Sequence, residues 1–306
     1  MKIRIAVFAV IFAILPALFL NGAEAVSVKF EILSGNAPIY QGDILVIKIG
    51  DKSAIEKFGI DVFGKTYRFN AQGLALIGIS ADQKPGKYDL VLIDLNNKET
   101  ALQYQLFCHC CDCQTIEVLL RDFGEERMKK FTPTEKQKKQ RIREGEMMQA
   151  AYRSTGSLPN YIPGKFVSPL AEQDINKIAI TDPFGIWRIY SKNKDDRDWH
   201  RGVDLRTGEN APISVVNSGV VILAEKNFLL EGNIVVVYHG FGIFSLYIHL
   251  SEIKVSTGQK VNAGQIVGIS GSTGARTTGS HLHLGIKIND ATVDPLKFIE
   301  TANKYL

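Results

Sequence analysis

Residues His281 to Ile288 alternate strictly between two kinds of side chain, and that alternation leaves them one regular structure. His281, His283, Gly285 and Lys287 hold the odd positions; Leu282, Leu284, Ile286 and Ile288 hold the even ones. In a β-strand successive side chains project to opposite faces, so one face is aliphatic and the other carries both histidines. The aliphatic face must pack into a core, and the histidine face then looks into a cleft that Gly285 keeps open. Two imidazoles on a half-buried strand lose hydration without partners, and a bound metal supplies one.

Further residues of the same chemistry lie upstream in His200-Arg201-Gly202-Val203-Asp204 and in Tyr247-Ile248-His249-Leu250. Two imidazoles and one carboxylate are the ligand set of a catalytic zinc that keeps a coordination position open for water. Two further histidines would then handle protons and developing negative charge. Gly202, together with the polar run Lys192 to Asp198, predicts a turn entering a strand, which can bring His200 and Asp204 onto one centre.

The amino-terminal 25 residues read as a secretory signal peptide. Lys2 and Arg4 precede the apolar run Ile5 to Leu20, and Ala23-Glu24-Ala25 is a small-x-small cleavage signal. A retained anchor fits less well, because the run is short for a spanning helix and Pro16 interrupts it. The expected product is exported to the periplasm, cell envelope or medium. A formal charge of +4 gives little long-range attraction and does not suggest nucleic-acid binding.

The chain is expected to be mainly β. Alternating or β-branched segments at Val28 to Ile32, Ile44 to Ile49, Thr66 to Phe69, Leu74 to Ile79 and Tyr88 to Leu95 predict a small Ig-like β-sandwich over residues 26–125. Residues 126–175 are expected to be a charged helix and a linker. Thr132 can cap that helix, with Pro133 in its first turn and Glu135 completing a capping box, and Thr155 to Pro169 is rich in turn residues. The basic stretch Lys136 to Arg143 reads as a solvated helix face rather than a patch for acidic polymers. Residues 176–306 are expected to be antiparallel β, with strands near Val215 to Ala224, Ile234 to His239, Phe244 to Ile248 and Gln265 to Ser270.

All four cysteines fall in Cys108-His109-Cys110-Cys111-Asp112-Cys113. Outside the cytoplasm disulfides are the default, but neighbouring cysteines close very small rings, so a second metal site there, or intermolecular or redox use, stays open as an alternative. His239, at a strand end before Gly240, reads as structural. Gly271 to Arg276 lacks the Gly-Lys-Ser/Thr ending of a phosphate loop and reads as a cleft wall.

Taken in order, Ile180-Thr181-Asp182-Pro183-Phe184-Gly185, His200 to Asp204, Tyr247 to Leu250, Gly258 to Gly268 and Gly279 to His283 resemble the successive motifs of the LytM/lysostaphin-type zinc endopeptidases. The resemblance covers about residues 180 to 300. It implies that His200, Asp204 and His283 bind one zinc, that His281 helps deprotonate the attacking water, and that His249 hydrogen-bonds the oxyanion or the water. Tyr247 would be an auxiliary donor. The implied substrate is a peptide bond in the stem or cross-bridge of bacterial peptidoglycan.

Three functions share this pattern: an exported endopeptidase of peptidoglycan cross-links, a non-catalytic wall-binding or hydrolase-activating protein on the same fold, and a secreted metalloprotease of proteins. The complete ligand set favours the first, since a protein that has lost catalysis commonly lacks a ligand. The amino-terminal domain would bind wall, cover the cleft or recruit a cell-envelope protein partner.

Overall fold

The structure is a computed structural model of the chain and describes residues 28–34, 38–96, 113–158, 164–172, 177–193, 195–275, 277 and 279–306. The leader expected over residues 1–25 and positions 108–112 of the cysteine cluster lie outside them. No helix among the described residues is long and apolar enough to cross a membrane.

Eight strands build the amino-terminal sandwich: β1 (Phe30–Ile32), β2 (Ile39–Tyr40), β3 (Ile44–Ile49), β4 (Phe58–Val62), β5 (Lys65–Arg68), β6 (Leu74–Gly78), β7 (Gly86–Asp94) and β8 (Cys113–Leu119). One sheet has the order β1-β3-β6, the other β2-β8-β7-β4-β5. Leu45, Ile47, Ala75 and Ile77 point between the sheets with Ile60, Leu90 and Ile116. The alternate residues Ile44, Val46, Leu74 and Leu76 are buried as well, on the far side, against the carboxy-terminal part of the chain. Burial on both faces explains why β3 and β6 read as nearly continuous apolar runs. At Gly78 an added Cβ would come within 2.9 Å of Val293 and 3.0 Å of Ala291, so the two halves meet at close range there.

A short strand β9 (Glu125–Arg127) follows, then helix α1 (Glu135–Arg153). The cap differs from the sequence expectation. Thr134, not Thr132, accepts from the Gln137 amide, and the Gln137 side chain accepts from Thr134 N at 2.9 Å. Both Thr132 and Thr134 precede an acidic or amide residue by three positions; using the second keeps β-branched Thr134 out of the helix interior.

The carboxy-terminal part is built from β10 (Ile180–Asp182), β11 (Trp187–Ile189), β12 (Arg197–Trp199), β13 (Val203–Arg206), β14 (Pro212–Ser214), β15 (Gly219–Phe228), β16 (Gly232–Tyr238), β17 (Ile243–Leu250), β18 (Glu252–Ile253), β19 (Lys260–Val261), β20 (Ile266–Ile269), β21 (His281–Ile288), β22 (Ala291–Val293) and helix α2 (Pro295–Tyr305). Its main sheet has the order β10-β13-β21-β17-β16-β15-β19, with β22 paired to β21. Leu282, Leu284, Ile286 and Ile288 are fully buried on one face, beside Ile213 and Val267 of a small sheet and Phe298 of α2. Burial of each such side chain is worth roughly 1.5–3 kcal/mol, which pins the register and so fixes the opposite face.

On that opposite face lies α1. Ala151, Met147, Met148 and Tyr152 pack on Ile234, Val236, Phe244 and Ile248. Glu144, 5% exposed, accepts from Leu229 N at 2.7 Å, and Arg141 forks onto Glu231 at 2.7 and 2.9 Å. The segment expected to be a solvated connector is thus docked on the main sheet along one side, while Lys138 pairs with Glu135 on the other. Part of the expected linker is also core: Phe166 is buried against Phe298, and its backbone is clasped by the Asn303 side chain at 2.8 Å on both N and O.

Candidate metal centre and its groove

Three strands bring the ligand candidates together. In the register of the main sheet His283 lies between Asp204 of β13 and Ile248 of β17. His200 sits in the turn between β12 and β13, where Gly202 lets the chain pass close to β21. A Cβ on Gly202 would be 2.5 Å from His283 Nε2, so glycine is required there.

His200 Nε2, Asp204 Oδ1 and His283 Nδ1 converge. The separations are 3.2 Å from His200 to Asp204, 2.8 Å from Asp204 to His283 and 3.0 Å from His200 to His283. Tetrahedral zinc with bonds of about 2.0–2.1 Å has ligand–ligand edges of about 3.3 Å, so the three donors need to open by only a few tenths of an ångström. The donor chemistry fits a cation as well. His200 Nδ1 donates to Pro183 O at 2.9 Å, which turns the Nε2 lone pair toward the Asp204 carboxylate and His283. A single proton on His283 Nδ1 satisfies Asp204 and leaves that lone pair facing other acceptors; one metal ion satisfies all three. Burial pushes the Asp204 carboxyl up, but the adjoining imidazoles of His200 and His283 outweigh it and hold the group well below the usual carboxylate range.

Two more imidazoles flank this centre. His281 Nδ1 donates to Gly279 O at 2.9 Å, and its Nε2 lies 3.8 Å from Asp204 Oδ2. His249 Nδ1 donates to Thr273 O at 2.8 Å, with its ring centroid 4.9 Å from that of His281. Carbonyls only accept, so both rings carry their proton on Nδ1 and present a free Nε2. Burial, followed by the neighbouring His283, pushes the His249 pKa down to about 4.

His249 reaches the groove through a break in strand regularity. The β16–β17 register slips between Asn233 and Val235, and His249 has φ of 66°. This bulge residue costs about 1–3 kcal/mol of backbone strain and re-aims the side chain onto the histidine face. Tyr247 stays in regular pairing with Leu284, which puts it on the core face. It is fully buried; its hydroxyl accepts from Val216 N at 2.8 Å and shares a hydrogen bond with Ser245 Oγ at 2.9 Å. The expectation of Tyr247 as an auxiliary donor is therefore corrected: the strand's pleat turns it away from the metal centre. His239 joins the same buried network through Ser245 Oγ at 2.7 Å and Ser218 O at 2.9 Å, as a structural residue.

Residues 198–295 match peptidase family M23. This part of the chain is an M23 peptidase domain. It is 38% identical over 120 residues to the peptidoglycan DD-endopeptidase ShyA of Vibrio cholerae, covering 36% of this chain and 27% of that protein. It is 34% identical over 119 residues to the DD-carboxypeptidase/endopeptidase Mpg of Neisseria meningitidis, covering 38% of this chain and 26% of that protein. The similarity thus spans about a quarter of those relatives' length. A crystal structure assigned to peptidase M23 from Pseudomonas aeruginosa covers 86% of this chain and 96% of its own, with a TM-score of 0.61 and 26% identity. Its likeness extends over the amino-terminal strands as well as the M23 domain.

Several residues that serve the M23 centre carry no side-chain signal in the sequence. Pro183, Thr273 and Gly279 act through backbone carbonyls. Thr273 belongs to the glycine-rich stretch read as a cleft wall, and its hydroxyl, which donates to Leu250 O at 2.8 Å, anchors that loop. Asp182 pairs with Arg188 and lies 3.5 Å from His200 Nδ1, bracing the first ligand. The groove continues past the metal centre along β21, walled on one side by Met148 and Tyr152 of α1 and on the other by Glu126 of β9 and Arg188 of β11. Glu126 and α1 lie outside the M23 match.

Proposed function

We propose that this chain is an exported zinc endopeptidase that hydrolyses peptide bonds of bacterial peptidoglycan. The observation that carries the reading is the convergence of His200, Asp204 and His283 beside two imidazoles, His249 and His281, whose Nδ1 protons are committed to carbonyls. The V. cholerae and N. meningitidis relatives, named for endopeptidase activity, support the reaction class.

His200, Asp204 and His283 would hold the zinc. When bound, zinc polarises the scissile carbonyl and lowers the pKa of water. His281, with Nε2 free and Nδ1 braced on Gly279, takes the proton of the attacking water and returns it to the leaving amine. His249 is neutral at physiological pH, so its Nε2 begins as an acceptor that holds the water from the other side. It becomes a donor to the oxyanion only after taking a proton itself. The bare floor at Gly285 and the walls from α1 and β11 suit an extended peptide laid along β21.

Incubation of the purified protein with isolated cell walls tests this reading. New amino termini in the fragments, absent after chelation and in His281→Ala, are the expected outcome; unchanged fragments with metal bound would instead support the activator alternative.

A further inference from the structure

At the end of the groove distant from the metal centre, two polar groups make no hydrogen bond among the described residues. Lys287 shares the odd face of β21 with His281 and His283, four residues beyond His283, or about 13 Å at strand rise. Among the described residues its ammonium makes no hydrogen bond or ion pair; it lies 4.3 Å from the centre of the Tyr152 ring. Asp290, which lines the same groove, pairs with Lys65 at 3.1 Å; its charge acts on Lys287, but no hydrogen bond or ion pair joins the two. The Tyr152 hydroxyl makes no hydrogen bond within the described residues, and its ring is held edge-on to Phe244 at 4.9 Å. Lysine and tyrosine both line the groove. Partial burial of Lys287 lowers its pKa, so the charge is held at a cost that an arriving anion would relieve.

We propose that Lys287 and Tyr152 form a carboxylate-binding subsite that selects peptides bearing a free carboxylate three to four residues from the scissile bond. Both groups can donate and the lysine is cationic, so a small anionic acceptor satisfies the pair better than a neutral one. Gly285, the one odd-face position between Lys287 and His283, offers no side chain to obstruct a peptide running between them. Resting on the reading of the site as a peptidoglycan endopeptidase, the subsite points to acidic stem peptides rather than an uncharged glycine bridge. The helix that supplies Tyr152 lies outside the M23 match and Lys287 lies inside it, so the subsite would join the M23 domain to the wall that α1 adds.

The test compares a cross-linked stem-peptide dimer with free carboxylates against the same dimer amidated at those carboxylates, using the full protein, Lys287→Gln, Lys287→Arg and Tyr152→Phe. Wild type should favour the free carboxylates by about tenfold to a hundredfold in kcat/KM, the worth of one hydrogen bond to a charged group. The preference should vanish in Lys287→Gln, survive in Lys287→Arg and weaken in Tyr152→Phe, with kcat little changed. Equal cleavage of both dimers by wild type, or an undiminished preference in Lys287→Gln, overturns the proposal. If no variant cleaves either dimer, the endopeptidase reading fails instead. Calorimetric binding of the monomeric stem peptide and its amide to wild type and Lys287→Gln then decides the subsite on its own.

Discussion

The two faces of the main sheet are made by the same three strands and behave as different materials. On the core face of β13, β21 and β17, Val203, Leu284 and Tyr247 lie in one row, fully or almost fully buried. On the groove face Asp204, His283 and Ile248 form the next row, and the polar groups there converge on each other or stand open to the groove. The core face tolerates polar atoms only when each is satisfied, as in the His239–Ser245–Tyr247 chain. The groove face keeps lone pairs and charges unsatisfied among protein groups, and that deficit is what a metal or substrate would fill. Substitutions on the groove face should therefore change chemistry and leave stability, whereas substitutions on the core face should do the reverse.

The largest expected effect is on the groove face. His281→Ala should lower the hydrolytic rate about a hundredfold to ten-thousandfold while leaving Tm and metal content unchanged. A large drop in Tm would break the contrast between the faces. On the core face the corresponding experiment uses pH. Burial pushes His239 down to about 4, below its unfolded value near 6.5, so the unfolded chain takes up the proton first. The stabilisation is complete above pH 6.5 and is lost as the pH falls toward 4, amounting to about 3 kcal/mol from this residue. Urea midpoints at pH 7 and pH 4.5 should differ by more in wild type than in His239→Gln.

Tyr247→Phe is smaller. It removes the acceptor for Val216 N and should cost about 1–3 kcal/mol of stability, with specific activity of the folded protein unchanged. A hundredfold loss of activity in a fully folded Tyr247→Phe would return the residue to the catalytic set. Smallest is Glu144→Gln on α1, which weakens the bond to Leu229 N by about 1 kcal/mol. A gain in activity from this loosening would mean that the helix covers the groove rather than walls it.

The two faces were not equally legible in the sequence. Strand β21 could be read residue by residue, because strict alternation is a strong signal and burial of four aliphatic side chains enforces it. The His200, Asp204 and His283 set was legible through the resemblance of the successive motifs to the LytM/lysostaphin-type endopeptidases; His-x-x-x-Asp and His-x-His taken alone are more often structural. Tyr247 and His249 sit two apart in one motif and look equivalent on paper. They part company only because the β16–β17 register slips, and a bulge depends on the partner strand rather than on the motif. The docking of α1 was hidden for a related reason: the apolar residues that pack, Met147, Met148, Ala151 and Tyr152, are confined to its last two turns, behind a basic stretch that reads as solvated and whose Ile142 is exposed. The sharing of β3 and β6 between two cores shows in their apolar runs, which by themselves indicate no more than strand propensity.

Metal content of the purified protein and its variants tests the central assignment most directly. Elemental analysis should find one zinc per chain in wild type, in Tyr247→Phe and in His281→Ala, and less than about a tenth of that in His283→Ala and Asp204→Ala, since each removes one of three protein ligands. Full zinc in His283→Ala, or its loss from Tyr247→Phe with the fold intact, would contradict the division of the sheet into a metal-binding face and a core.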